Sequence, residues 1–159
     1  MKKNTIHILV LVICCLFGAV TITGAADKDM GGWGVGDKYN SLYNAVDVED
    51  MKVKVLDVIE VTPLPGMSPG VGLVIEDEEG DEMVVHVCPA WYKRPEKVGV
   101  RKGDKIKLRG VYAEINGEDV IMAAKIKGKS KTLKVRLTSD GTPFWTMSPA
   151  QLQKELSSQ

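Results

Sequence analysis

The sequence has few residues of the kinds that most often carry catalysis or hold metals. Of its 159 residues, three are cysteine and two are histidine, and His86 and Cys88 are the only ones outside the first fifteen positions. Beyond those positions no disulfide can form within the chain, and one histidine would serve every acid–base role. There is no CxxCH haem-attachment motif, phosphate-binding loop or paired-carboxylate motif. We therefore expect a protein that is not an enzyme.

The N-terminal segment predicts export. Two lysines precede an apolar run over residues 6–20, and TITGAAD follows it. This order of basic, apolar and small residues is typical of a secretory signal, here residues 1–26, with cleavage after Ala26 or Ala25. The expected location is the periplasm or the cell surface. The alternative is an uncleaved N-terminal anchor, which would be the only membrane attachment, because the apolar run is nearly long enough to span a bilayer.

The formal net charge of zero hides an uneven distribution. Residues 27–82 carry 14 acidic and 4 basic side chains, whereas residues 97–136 carry 12 basic and 4 acidic ones. Such asymmetry bears on partners and solubility and not on fold. Either the two regions form solvated faces of one domain that attract each other, or the basic region binds an anionic partner.

The segment at residues 27–50 predicts an N-terminal arm with ordered aromatic residues. Its core, MGGWGVGDKYNSLYN, combines four glycines with Trp33, Tyr39 and Tyr43. A flexible linker would lack these rings. We expect them to pack on the domain or, alternatively, to dock on another chain.

From Met51 onward, apolar and polar residues alternate, which predicts β-strands. The predicted strands cover residues 51–61, 71–76, 82–88, 104–115, 118–127 and 133–137. An irregularity near Asp57 predicts a β-bulge, and Pro89 ends the third strand. Residues 138–159 form a tail in which Ser148 and Pro149 open a short helix to about residue 156.

This order of strands predicts an all-β fold. Three strands in a meander, a connection, a hairpin and an edge strand match a five- to six-stranded Greek-key barrel, the OB-fold, over residues 51–137. An SH3-like barrel or a small β-sandwich is the alternative. In the hairpin, a three-residue loop with Gly117 in the left-handed position would pair Leu108 with Ile126 and Tyr112 with Met122.

The segment VVHVCPAWYKRPE holds the residues that could bind a metal or haem. His86 and Cys88 lie two apart in a strand, so they are expected on one face. Imidazole and thiolate suit copper, zinc or iron, and Met67 could add a thioether. Trp91 and Tyr92 complete this candidate ligand site. The competing interpretation is structural: Cys88 is a buried small side chain, His86 is hydrogen-bonded at a strand end, and the two rings plug the barrel.

The predicted hairpin also forms a ladder of basic side chains. Two runs lie opposite each other, and their members are Lys105, Lys107 and Arg109 on one strand and Lys125, Lys127 and Lys129 on the other. Like charges so placed cost stability, and a bound polyanion would relieve that cost. Nucleic acid is disfavoured, because the predicted strands 2 and 3 carry no aromatic stacking platform and an exported protein seldom meets it. An envelope protein or an anionic polymer fits better.

Several motifs together resemble a known group. They are GWG, YNSLYN, LPGMSPGVGL, HxxPAWY (residues 86–92), NGEDVIMAA and DGTPFW. The chain is similar to small exported bacterial OB-fold proteins, specifically the tRNA-anti-like OB domains and the domain of the magnetosome proteins MamS and MamX. The resemblance covers residues 32–145 and implies an exported binding or accessory module of the envelope, and it transfers no catalytic residue to this chain. We expect no cofactor, with copper or haem as the alternative. Cys88 stands where that pattern has glycine, which argues against a shared ligand there.

Overall fold

Six strands and one α-helix account for most of the regular structure of residues 29–158, the part of the chain that this computed structural model describes. The strands are β1 (Glu49–Val61), β2 (Gly70–Glu76), β3 (Glu82–Pro89), β4 (Lys105–Ile115), β5 (Glu118–Lys127) and β6 (Thr132–Lys134), and the helix is α1 (Pro149–Ser157). Single 3-10 turns lie at Asn40–Leu42, Ala45–Asp47, Pro95–Lys97 and Phe144–Thr146. The predicted signal peptide lies outside the described residues. Within the described part, no helix has the length and apolar character needed to cross a membrane.

The strands form one sheet in the order β3-β2-β1-β4-β5-β6, and its two sides meet where β3 pairs in parallel with β5. The remaining neighbours pair antiparallel. The predicted all-β fold of five to six strands with a short C-terminal helix is confirmed. The closure is ring-like and not a clear barrel, and this arrangement suggests the predicted OB-fold.

The alternation of side chains places the core on the inner face of the ring. In β1, Val53 and Val55 are buried, and in β4 Ile106 and Leu108 are buried, while the lysines between them are exposed. Full burial of a valine, leucine or isoleucine contributes about 1.5–3 kcal/mol. The predicted bulge in β1 is confirmed by a register shift between Val55 and Asp57.

The β4–β5 hairpin turns differently from the prediction. Ile115 pairs with Glu118, so the loop is the two residues Asn116 and Gly117, with φ of 55° and 81°, as a type I′ turn requires. The three-residue loop was wrong, and so was the pairing of Tyr112 with Met122, since Tyr112 lies opposite Ile121.

The pairing of Leu108 with Ile126 is nevertheless confirmed. A register shift between Arg109 and Gly110 leaves Ala124 as an extra residue in β5. The predicted three-residue loop would have added one residue at the turn, and the bulge adds that residue within β5 instead. Beyond the bulge, the pairing is therefore the predicted one.

The predicted last strand is shorter than expected. β6 ends at Lys134, and the backbone amides of Val135 and Arg136 both donate to the carbonyl oxygen of Ala124, at 2.8 and 3.1 Å. Two consecutive donors on one acceptor turn the chain out of a regular ladder. Arg136 then forms an isolated bridge with Pro143.

The start of α1 follows the prediction from its sequence. The Ser148 hydroxyl accepts from the Gln151 backbone amide at 3.3 Å, and the Gln151 side chain accepts from the Ser148 amide at 2.9 Å. This capping box satisfies backbone donors that the first turn leaves unpaired, and Pro149 follows as the first helical residue.

The N-terminal arm closes one end of the ring. Trp33, Tyr39 and Tyr43 are buried, and the Trp33 indole donates to the Ser68 carbonyl at 2.8 Å. The Trp145 indole donates to the Trp33 carbonyl at 2.8 Å. Because the rings lie within the chain's own core, they are not a free surface for docking on another protein.

Candidate functional site

The outer face of the β4–β5 hairpin carries like charges in register. Lys107 lies opposite Lys127, and Arg109 lies opposite Lys125. These two predicted pairs are therefore formed. Lys129 lies beyond the end of β5, so Lys105 does not pair with it as expected.

Strand β1 widens this surface on the other side of β4. Lys52 lies opposite Lys107, and Lys54 lies opposite Lys105. Sequence reasoning missed both lysines, although the alternation in MKVKV was the signal that could have found them. We call the complete set the basic face, and its members are Lys52, Lys54, Lys105, Lys107, Arg109, Lys125, Lys127 and Lys129.

Two adjoining grooves run over the basic face, with volumes of about 780 and 350 Å³. Both are lined by Lys52, Lys107 and Lys127, so they form one continuous trough. The larger groove reaches the end of β2 and the residues after β5, and the smaller one reaches Arg109 and Lys125. Aromatic side chains line neither groove.

Acidic residues form ion pairs with three of the eight cations of the basic face. Lys52 contacts Glu78 at 3.8 Å and Lys54 contacts Glu76 at 3.5 Å, both with substantially exposed side chains. Surface pairs of this kind contribute about 0–1 kcal/mol.

The third ion pair joins Arg109 to Asp50. The hydrogen bond from Arg109 holds the pKa of the Asp50 carboxyl below its usual value. Within residues 29–158, Lys107 and Lys127 at the centre of the face have no ion pair. The middle of the trough is thus the part that keeps its positive charge.

His86 and Cys88 lie inside the ring and not at its surface. His86 is 5% exposed and Cys88 is fully buried. Burial, reinforced by the nearby charge of Arg136, lowers the pKa of His86 to about 4. Burial also raises the pKa of the Cys88 thiol to about 12. At neutral pH the pair is an uncharged imidazole and a protonated thiol, which is not the thiolate that a metal prefers.

The other candidate ligand residues, Met67, Trp91 and Tyr92, do not form one exposed pocket with His86 and Cys88. Tyr92 is half-buried against Trp145, with ring centroids 5.8 Å apart, whereas Trp91 is 42% exposed. Both aromatic side chains were expected to plug one end of the closed sheet. Of the two, Tyr92 packs inward, on Trp145, whereas Trp91 is too exposed for that role. Met67 packs against Gly32 in the arm. In the described part of the chain, no three or more His, Cys, Asp or Glu residues gather as a metal site.

A buried arginine is a second feature that sequence reasoning missed. Arg136 is 2% exposed, and its guanidinium carbon lies 4.7 Å from the Trp145 ring, 5.6 Å from Tyr39 and 6.0 Å from Tyr43. Its Nη2 donates to the Asn40 side-chain oxygen at 3.1 Å. In the sequence, Arg136 looks like one more member of a basic region, and nothing there marks it as buried.

The environment of Arg136 lacks a counter-charge. No carboxylate in residues 29–158 forms an ion pair with it, and burial lowers its pKa. The desolvation of one ion costs several kcal/mol, whereas each desolvated cation–π contact returns about 2 kcal/mol. The aromatic rings therefore offset a large part of the cost without satisfying the remaining N–H groups.

Comparison with protein families identifies the chain. The family description "MamS/MamX magnetosome protein family" matches residues 47–133, which is the span from the second 3-10 turn to β6. Comparisons with curated proteins and with solved structures gave no match. The match covers more than half of the 159 residues and includes β1 to β5 and the start of β6, and on that basis the chain belongs to the MamS/MamX magnetosome protein family.

Proposed function

We propose that this protein is a magnetosome-associated accessory module that binds an anionic polymer along its basic face. It acts as a binding module without catalysis, and its signal-like N-terminus directs it to the cell envelope. The family membership supports the association with magnetosomes. The basic face supports the mode of binding.

The single observation that carries the proposal is the row Lys52–Lys107–Lys127. These residues lie directly opposite one another on β1, β4 and β5. Each like-charge pair destabilises the sheet, by about 0.2–1 kcal/mol. An anionic ligand that bridges the three strands removes this repulsion and releases its own counterions.

The shape of the trough favours a linear ligand. Strands lie about 4.8 Å apart, and side chains on one face recur about every 6.7 Å along a strand. The cations therefore form a two-dimensional array that an extended chain with closely spaced negative groups can follow. A folded protein partner would need aromatic or apolar anchors, and single-stranded nucleic acid would need stacking rings. Neither groove offers an aromatic side chain.

Charge reversal at the centre of the basic face tests the proposal. Fluorescently labelled heparin fragments serve as the probe polyanion, and anisotropy measures their affinity for the wild type and for the K107E/K127E variant. We expect at least a tenfold loss of affinity, because two central cations become repulsive. Affinity should also fall steeply with salt.

The matched control is the K38E/K154E variant. It makes the same change in net charge, and neither lysine lines the trough. Its affinity should stay within about twofold of the wild type, since the trough itself is unchanged. Equal losses in both variants would mean that overall charge, and not the basic face, governs binding, and the proposal would fail.

A further inference from the structure

The guanidinium of Arg136 lies in a cluster of buried polar atoms that lack partners. Within residues 29–158, its Nε and Nη1 have no hydrogen-bond partner of normal geometry, and neither do the hydroxyls of Tyr39 and Tyr43 or the Nδ1 of His86. The Tyr39 hydroxyl still lies close enough to the guanidinium for a hydrogen bond between them to influence the pKa of both groups. These four side chains are 1–8% exposed. Unpaired buried polar atoms are rare in folded proteins, and a cluster of them indicates a bound ion or ordered water.

The atoms belong to one cluster and not to separate places in the core. The Tyr39 ring lies 5.9 Å from the His86 ring and 5.6 Å from the guanidinium carbon. The charge of Arg136 acts on the Tyr39 hydroxyl and on His86. The Tyr43 ring lies 6.0 Å from the same carbon.

The chemistry of the cluster is that of an anion receptor. A guanidinium offers five N–H donors and no acceptor, whereas a phenol offers one O–H beside its acceptor oxygen and a neutral imidazole offers one N–H beside one acceptor nitrogen. The hydrogen bond to Asn40 uses only Nη2. Donors therefore outnumber acceptors, and the cluster holds one positive charge that no carboxylate in residues 29–158 neutralises by an ion pair.

We propose that the cluster of Arg136, Tyr39, Tyr43 and His86 is a buried site for a small monovalent anion of halide type. A spherical anion accepts from N–H and O–H donors in any direction, and it neutralises the buried cation without a second residue. The surrounding rings of Trp145, Tyr39 and Tyr43 enclose the site, which excludes large or strongly hydrated anions. This site lies in the core and is separate from the basic face.

Binding of the anion links the arm to the ring. Tyr39 and Tyr43 belong to the N-terminal arm, His86 to β3 and Arg136 to the chain after β6. An ion bound only by the folded protein raises its apparent stability as the ion concentration rises. Chloride therefore acts as a structural ligand that fixes the arm against the ring.

Thermal unfolding at constant ionic strength tests this site. Chloride replaces gluconate stepwise at fixed sodium concentration, because gluconate is too large for the enclosed cluster. We expect a saturable rise in Tm with chloride and the same response to bromide. In crystals grown with bromide, the anomalous signal should show a peak at the cluster.

Two tyrosine variants provide the comparison. Tyr39→Phe keeps the ring that packs on Trp33 and removes one hydroxyl, so the chloride-dependent part of the Tm rise should fall by at least half. Tyr112→Phe, at a 44% exposed position, should leave it unchanged. Should Tyr39→Phe fail to fold, Tyr43→Phe replaces it. The proposal is overturned if Tm is the same in chloride and gluconate, or if bromide peaks occur only on the surface.

Discussion

At the scale of single residues, burial decides the chemistry of the two side chains that looked most reactive. His86 and Cys88 lie in β3 with exposures of 5% and 0%, and burial keeps the imidazole and the thiol uncharged at neutral pH. The expected small buried role of Cys88 fits this geometry. Within residues 29–158, the Nδ1 of His86 lacks the expected hydrogen bond, and the Tyr39 ring and the charge of Arg136 lie nearby. The sequence could not show the surroundings of His86, since Tyr39 and Arg136 lie about 50 residues away from it in the chain.

The lowered pKa of His86 predicts acid sensitivity. Its value of about 4 in the folded protein lies below the value of about 6.5 in an unfolded chain. Between these values the unfolded state binds more protons, so stability is full above pH 6.5 and falls as the pH drops towards 4. We expect the free energy of unfolding to be about 2 kcal/mol lower at pH 5 than at pH 7.5, measured by urea denaturation.

The His86→Gln variant is the control for this pH effect. It keeps a polar side chain of similar size but cannot titrate in this range. Its stability should be nearly the same at pH 5 and pH 7.5. If the variant lost stability between the two pH values as strongly as the wild type, another group would be responsible.

Gly110 shows how one missing side chain permits a bulge. A Cβ added there would lie 2.5 Å from the Met122 carbonyl oxygen, and this oxygen belongs to the backbone of the paired strand. Gly110→Ala should therefore lower stability by about 1–3 kcal/mol. Gly36→Ala, where nothing lies within 4 Å of the added atom, should change it by less than about 0.5 kcal/mol. Chemical denaturation of both variants measures the difference, and equal effects would contradict the role of close approach.

At the scale of elements, the alternation of apolar and polar side chains predicted the strands well. It did not predict the type of the hairpin turn or the position of the bulge in β5. The predicted bounds of β5 agree with the structure, and those of β4 differ by one residue. The hairpin turn was wrong because the extra residue lies at Ala124 and not in the loop. A bulge in the middle of a strand depends on the approach of the partner backbone, and no pattern along one strand reports that.

The repulsion across β4 and β5 predicts a variant that is more stable and binds less. Lys127→Glu places a carboxylate opposite Lys107, which converts a like-charge pair into an attractive one. We expect the free energy of unfolding to rise by about 0.2–1 kcal/mol while affinity for the heparin probe falls. Lys38→Glu, outside the trough, should show neither change. A destabilised Lys127→Glu would show that the lysine ladder carries no strain.

At the scale of the whole molecule, the sequence predicted six of the eight residues of the basic face. It also predicted that Tyr39 and Tyr43 pack on the domain, but not the buried Arg136 that they surround. The pairs of β4 and β5 follow from a hairpin, which is local in sequence. Lys52 and Lys54 join the face only because β1 pairs with β4, more than 50 residues later. Arg136 joins the arm through Asn40, a separation of 96 residues. Contacts of this range depend on the topology, which periodicity does not fix.

The arm is part of the core, so its loss should affect the whole fold. Trp33 is fully buried and packs edge-on against Tyr39 and Trp145, with ring centroids 5.0 and 5.9 Å away. Trp33→Ala should lower stability by about 3–5 kcal/mol. Trp91→Ala removes the same side chain from a 42% exposed position and should cost clearly less. Urea denaturation compares them, and a mild effect of Trp33→Ala would show that the arm is dispensable.

The hydrogen bond between Trp145 and Trp33 spans 112 residues, and it has a consequence for biosynthesis. While the middle strands are being synthesised, the Trp33 carbonyl has no indole N–H from which to accept a hydrogen bond. The Tyr39 ring likewise has no guanidinium against which to pack. Until Arg136 and Trp145 have been synthesised, the aromatic rings of the arm therefore lack the partners that bury them, and exposed apolar surface of this kind attracts chaperones or leads to aggregation.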